Sequence, residues 1–161
     1  MNLPFYPSKS SNFYFSYFAK VKDVTIRNNA FHTRCTFHGK VCKVIIDSVS
    51  FENLVSTKMV QKLGLEIISH PNPYQLCWLQ GEIEIKISKR CLVSFSLANN
   101  YKNEVSYDIV PMNVCHLLLD RSWLYDKRVL CDGFKYTYSF MINGKKDYFD
   151  SFKTCFGFQT F

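Results

Sequence analysis

The chain of 161 residues is 47% hydrophobic and 17% aromatic, which is enough for one domain with a substantial core and too short for two ordinary domains. Lys and Arg outnumber Asp and Glu by 20 to 13. Because the basic residues are scattered, we expect no specific nucleic-acid-binding face, and any such binding should be weak and salt-sensitive. No stretch of about 18 apolar residues occurs, so a membrane span is not expected.

The cysteine pattern favours an intracellular, cytoplasmic protein. Seven cysteines form no Cys-x-x-Cys pair, and their odd number leaves one unpaired in any complete disulfide framework. Reduced thiols are typical of intracellular compartments. We therefore expect the cysteines to be free.

The start of the organised region carries several residues that could bind a metal ion. The residues there with zinc's preferred side chains are His32, Cys35, His38 and Cys42. Strand alternation puts His32 and His38 on one face and Cys35 on the other, so a single ion could not bind them together. The sequence predicts no metal site and no cofactor.

Composition divides the chain into three parts. Residues 1–29 are rich in aromatics but interrupted by proline, serine and asparagine. They lack the basic start, apolar stretch and small-residue cleavage site of a signal peptide. We expect an extension over 1–29, one domain over 30–146 and a tail over 147–161.

The domain opens with a predicted β-hairpin. Residues 31–37 alternate between apolar and polar side chains, as a half-buried strand requires. His38-Gly39-Lys40 predicts the turn. Residues 41–47 form the return strand, whose few polar interruptions predict that both faces are covered and that its end lies near the centre of the fold.

A short amphipathic helix is predicted next. Ser56 is a suitable N-cap and Gly64 a left-handed stop. The apolar residues that share its inner face are Met59, Val60 and Leu63. Pro71 and Pro73 then predict a break in the chain.

The remaining segments predict strands, with one further helical turn. Strands 74–79 and 82–87 flank Gln80-Gly81 as a second hairpin. The other predicted strands are 91–97, 105–109, the buried run 117–119, and 136–142 before the Asn143-Gly144 turn. Asp120 is a suitable cap for a helical turn that carries Trp123 and Leu124. This pattern predicts an all-β fold with one or two short helices.

The end of the first hairpin carries the candidate catalytic group. An apolar strand there delivers Asp47 into the turn Asp47-Ser48-Val49. A single aspartate at a strand end is most often a turn or cap residue. The motif alone therefore leaves its role open.

Longer blocks around this motif resemble the protease region of plant gypsy-type retrotransposon polyproteins. The resemblance extends over roughly residues 30–146 and is carried by the blocks 31–35, 44–48, 59–63, 89–95, 110–112 and 115–119. It implies a retropepsin-like acid protease fold, a closed barrel that forms a single subunit.

In chemical terms the resemblance implies an aspartic endopeptidase that cleaves peptide or polyprotein substrates. Since each chain supplies one motif, a homodimer would bring two copies of Asp47 together. Ser48 would hold the active-site turn by hydrogen bonds. A flap formed by Leu79, Gln80 and Gly81 would close over the peptide.

Two departures from the family pattern predict impaired activity. Val49 occupies a position that is glycine in the family, where a side chain crowds the catalytic pair and a glycine-only backbone would be strained. Asp120 replaces the glycine that follows Leu118 and Leu119 and packs beneath the active-site turn, where a charge is unfavourable unless it is satisfied. The alternatives are a catalytically dead dimerisation or peptide-binding module and, more remotely, a basic nucleic-acid binder.

Overall fold

A computed structural model describes residues 12–13, 31–78, 83–97 and 101–150. It contains two short helices, α1 (Thr57–Leu63) and α2 (Arg121–Asp126). The strands are β1 (Asn12–Phe13), β2 (Phe31–Phe37), β3 (Lys40–Ile46), β4 (Leu54–Ser56), β5 (Ile68–Trp78), β6 (Ile83–Leu97), β7 (Tyr101–Val110), β8 (Leu117–Leu119), β9 (Leu130–Asp132), β10 (Thr137–Ile142) and β11 (Lys145–Asp150). The predicted mainly-β class is confirmed.

The main sheet closes on itself. Its strand order is β1-β5-β6-β2-β3-β8-β4-β7, and β6 also pairs with β7. This second pairing closes the strands from β6 to β7 into a barrel. Strands β5 and β1 extend the sheet outward from β6. Closure pairs the backbone N–H and C=O groups that the edges of an open sheet would leave without partners. The closed barrel predicted from the sequence is therefore present.

The first hairpin forms as predicted. His38 and Gly39 both have positive φ, 46° and 76°, as a two-residue turn of this kind requires. The inward face of β2 carries the buried residues Phe31, Thr33, Cys35 and Phe37. The return strand differs from the expectation at its start, where Val41 and Lys43 are exposed, so β3 is buried on both faces only over its last three residues.

All three helix caps predicted from the sequence are confirmed. Ser56 Oγ accepts a hydrogen bond from the Met59 amide, and Gly64 ends α1 with φ 60°. Asp120 caps α2 by accepting from the Trp123 amide.

Two predicted breaks are absent, and one predicted turn is shorter than expected. β5 continues through Pro71 and Pro73, where its pairing with β6 shifts register between Ser69 and Tyr74, so the prolines lie where no ladder hydrogen bond is needed. Predicted strands 82–87 and 91–97 are parts of the single strand β6. β7 begins at Tyr101, inside the predicted turn 99–103.

A smaller sheet follows the barrel, with the order β11-β10-β9. Tyr138 and Phe140 on β10 belong to the same buried cluster as Phe31, so this sheet packs on the core. β11 continues past residue 146, where we expected the domain to end, to Asp150. Neither helix in the described ranges is long and apolar enough to cross a bilayer.

Candidate active site

Asp47 directly follows the buried end of β3. Its backbone amide donates to the Leu119 carbonyl at 2.9 Å, which extends the parallel pairing of Ile46 with Leu119 by one residue. Leu118 and Leu119 are fully buried beside it. The strands β3 and β8 therefore fix the backbone of Asp47, while its side chain is only half-buried.

The turn after Asp47 is closed by its own carboxylate. Asp47 Oδ1 accepts a hydrogen bond from the Val49 amide at 2.9 Å, which is a common way for aspartate to stabilise a turn. Ser48 is exposed, and Val49 is 62% exposed. The carboxylate thus lies at the surface of the subunit, next to an apolar side chain.

The expectation of backbone strain at Val49 is wrong. The non-glycine residues with positive φ in the described ranges are His38, Arg128, Tyr136 and Asn143. Val49 is not among them, so its backbone does not require glycine. What valine adds at this position is the bulk of an exposed side chain.

Asp120 lies beneath the turn, but it is a satisfied helix cap. It is 2% exposed, and its Oδ1 accepts from the Trp123 amide at 2.8 Å. Burial raises the pKa of Asp120, while hydrogen bonds from the Trp123 and Ser122 amides oppose that shift. The hydrogen bonds from α2 therefore offset part of the cost of burying this charge, and burial remains the larger effect.

Two residues that sequence reasoning missed connect the turn to α2. The Ser50 carbonyl accepts from the Arg121 amide at 3.0 Å, and Asn53 Oδ1 accepts from the Asp120 amide at 3.0 Å. Ser50 is also buried. A short polar residue between a turn and a buried strand is the only sequence signal of this role, and it is weak because such residues are common in loops.

Tyr138 is a third neighbour that the sequence did not indicate. Burial is the main cause that raises its pKa. Its ring also lies edge-on to Phe31, with centroids 4.1 Å apart. Since Phe31 pairs with Ile46, the residue before Asp47, the smaller sheet packs near the end of β3.

The predicted flap is described only at its base. β5 and β6 pair up to Trp78 and Ile83, while Leu79, Gln80 and Gly81 lie outside the described residues.

A buried polar network connects this β5–β6 hairpin to β7. Asp108 is 2% exposed, and its Oδ1 lies 3.1 Å from Arg90 Nη2. Asp108 Oδ2 accepts from the Tyr74 hydroxyl at 2.9 Å, and His70 Nε2 lies 3.3 Å from Asp108 Oδ1. The network therefore anchors both strands of the hairpin to the barrel.

Asp120→Asn tests the compensation at the cap. Because burial raises the pKa of Asp120, the folded protein holds this proton more tightly than the unfolded chain. The stability from this group is therefore present at acid pH and lost as pH rises through the raised pKa. Asn caps helices as well as Asp and does not ionise.

The melting temperature of Asp120→Asn should consequently rise relative to wild type as pH goes from about 4 to 7. Asp132→Asn is the control, because it makes the same chemical change at a side chain that is 44% exposed. If the melting temperature of Asp120→Asn instead falls relative to wild type as pH rises, burial is not the main influence on the pKa of Asp120.

The chain matches no protein-family profile and no curated protein sequence. Among solved structures it is similar to the retroviral protease-like domain of Ddi1 from Leishmania major, at 13% sequence identity and a TM-score of 0.52. The similarity covers 75% of this chain and 93% of that domain. At such low identity the likeness concerns the fold alone. The closed barrel, its two short helices and this similarity identify the fold as retropepsin-like.

Proposed function

We propose that the chain is one subunit of a homodimeric aspartic endopeptidase whose activity is reduced by Val49. The observation that carries the proposal is the position of Asp47, a half-buried carboxylate fixed by the backbone of β3 and β8 at the surface of a retropepsin-like barrel. The gypsy-type sequence blocks add a retrotransposon polyprotein as the proposed origin and substrate.

In the proposed mechanism, two copies of Asp47 meet across a twofold axis. Two carboxylates a few ångström apart cannot both ionise, so the pair holds one proton and titrates as a unit. The ionised Asp47 takes a proton from a bound water that attacks the peptide carbonyl, while the protonated copy donates to the developing oxyanion. Ser48 would support the turn, and the flap at 79–81 would exclude water.

Cleavage of an unfolded test protein at mildly acidic pH tests this proposal. The wild-type chain should cleave slowly, and Asp47→Asn should abolish cleavage because it removes both members of the catalytic pair. Cleavage that survives Asp47→Asn would overturn the assignment.

The exposed apolar side chains beside Asp47 support a dimer at this surface. Val49 is 62% exposed and Phe51 is 59% exposed, and aromatic residues are enriched in interface cores. We expect a weak homodimer by sedimentation. Phe51→Glu should weaken it at least about tenfold, because two buried charges would meet at the axis.

Leu92→Glu provides the matched control, since Leu92 is 54% exposed but lies on β6. It should leave the association constant unchanged. A wild-type chain that stays monomeric at high micromolar concentration would remove the composite active site and, with it, the proposed enzyme.

The second candidate is a catalytically dead module that dimerises or binds peptides. The observation that favours it is Val49, whose exposed isopropyl group would crowd a catalytic pair on the axis. A folded dimer that cleaves nothing, even after Val49→Gly, would support this candidate over the enzyme.

A further inference from the structure

Cys35 and Cys42 lie directly opposite each other across the β2–β3 hairpin. Both side chains are buried on the same face, 2% and 1% exposed. Directly opposed residues of an antiparallel pair have Cα atoms about 4.5–5.5 Å apart, within the roughly 4.4–6.8 Å that a disulfide spans. The backbone therefore already permits a covalent bond between the two sulfurs.

The two thiols differ in their readiness to ionise. The neighbouring Cys35 thiol is the largest influence that lowers the pKa of Cys42; burial opposes it, and the charge of Lys40 adds to it. The Cys42 thiol and burial raise the pKa of Cys35. Since the thiolate is the nucleophile, the lowered pKa favours Cys42 as the thiol that reacts first.

Cys42 also forms part of the wall of a cavity of about 180 Å³ beside α1. Exposed Lys58, Lys62 and Asn113 line this cavity together with buried residues, so part of its wall is open to solvent. Cys35 does not line it. A small oxidant therefore has a route to Cys42, although the thiol has almost no exposed surface.

Cys115 lines the same cavity but differs chemically. Burial raises its pKa to about 12, and its thiol donates to Met112 Sδ at 3.7 Å. It consequently stays protonated near neutral pH and is a poor nucleophile. The cavity thus presents one reactive thiol.

We propose that Cys35 and Cys42 form an oxidation site for small hydroperoxides, independent of any peptidase activity. The Cys42 thiolate attacks the terminal oxygen of the peroxide; the S–O bond forms, the O–O bond breaks, and an alkoxide or hydroxide leaves and takes up a proton. The Cys35 sulfur then attacks Cys42 sulfenic acid, forming the S–S bond, and the Cys35 proton departs with the hydroxyl group as water. Its position directly opposite Cys42 makes this step intramolecular, which offsets the raised pKa of its thiol. The peroxide is reduced, and the two thiols are oxidised to one disulfide.

Peptide mapping of the full chain tests the site. After treatment with hydrogen peroxide at neutral pH, alkylation of the remaining thiols and tryptic digestion without reduction, cleavage after Arg34, Lys40 and Lys43 separates the two cysteines. Peptides 35–40 and 41–43 should then be recovered joined, about 2 Da lighter than their sum because two hydrogens are lost. Reduction should separate them.

Trapping the intermediate assigns the roles of the two thiols. In Cys35→Ser the Cys42 sulfenic acid has no resolving thiol, so dimedone should label Cys42. In Cys42→Ser dimedone should not label Cys35. The controls are Cys115→Ser and Cys131→Ser, in which the joined peptides should still form.

Two results would overturn the proposal. One is a wild-type map in which hydrogen peroxide has oxidised the exposed Cys131, while Cys35 and Cys42 are both recovered in alkylated form and are therefore still thiols. The other is dimedone labelling of Cys35 in Cys42→Ser as strong as that of Cys42 in Cys35→Ser. The wild-type mapping requires no substitution, so misfolding of a variant would leave the test intact.

Discussion

Replacing Val49 by glycine is expected to raise the rate of peptide cleavage about 10²-fold, because a displacement of about 1 Å at a catalytic centre carries a cost of that size. The reason is steric. Val49 has no strained backbone, but its exposed side chain would stand between the two subunits and keep the carboxylates apart. Val49→Ala should give an intermediate rate.

Cleavage of an unfolded protein by the two Val49 variants measures the effect. Adding Asp47→Asn to Val49→Gly should abolish the gain, because the new activity must still depend on that carboxylate. Asp120→Gly should add little, since Asp120 is a satisfied cap on α2. A folded Val49→Gly dimer with no activity would mean that Val49 is not the obstacle.

Arg90→Met is expected to lower the free energy of unfolding by about 3 kcal/mol, at the low end of the range for breaking a buried ion pair. The loss comes from Asp108, which is 2% exposed and would remain buried without its cation. The Arg90 side chain is 24% exposed, so the ion pair is only partly removed from water. We therefore expect a loss in the free energy of unfolding at the low end of that range. Urea denaturation measures the change.

Lys89→Met is the matched control. Lys89 precedes Arg90 on β6 and is exposed, so its replacement should change stability by less than about 0.5 kcal/mol. Equal losses in the two variants would show that a positive charge on this strand matters in general, and that the contact with Asp108 does not.

Local chemistry was the predictable part of this fold. Alternation and a turn with glycine defined the β2–β3 hairpin, because both signals act within a few residues. Ser56 and Asp120 were recognisable as caps for the same reason. The position of Asp47 at the end of a strand was visible, since a buried apolar run stops there.

Long-range partners account for what the sequence did not reveal. Ser88-Lys89-Arg90 looked like a break, yet β6 passes through it because Arg90 pairs with Asp108 on β7. β9 is mostly exposed and forms only because β10 pairs with it. Asn53 reaches Asp120, 67 positions away in the chain, and no local pattern encodes that contact.

The region around Asp47 is held largely by main-chain atoms. The amides of Asp47, Asp108 and Arg121 donate to the carbonyls of Leu119, Asn53 and Ser50. Every residue except proline carries these groups, so substitutions among them leave the bonds in place. The course of the main chain around Asp47 therefore depends little on which side chains these positions carry, and the same backbone would present the Asp47 carboxylate with either valine or glycine at position 49.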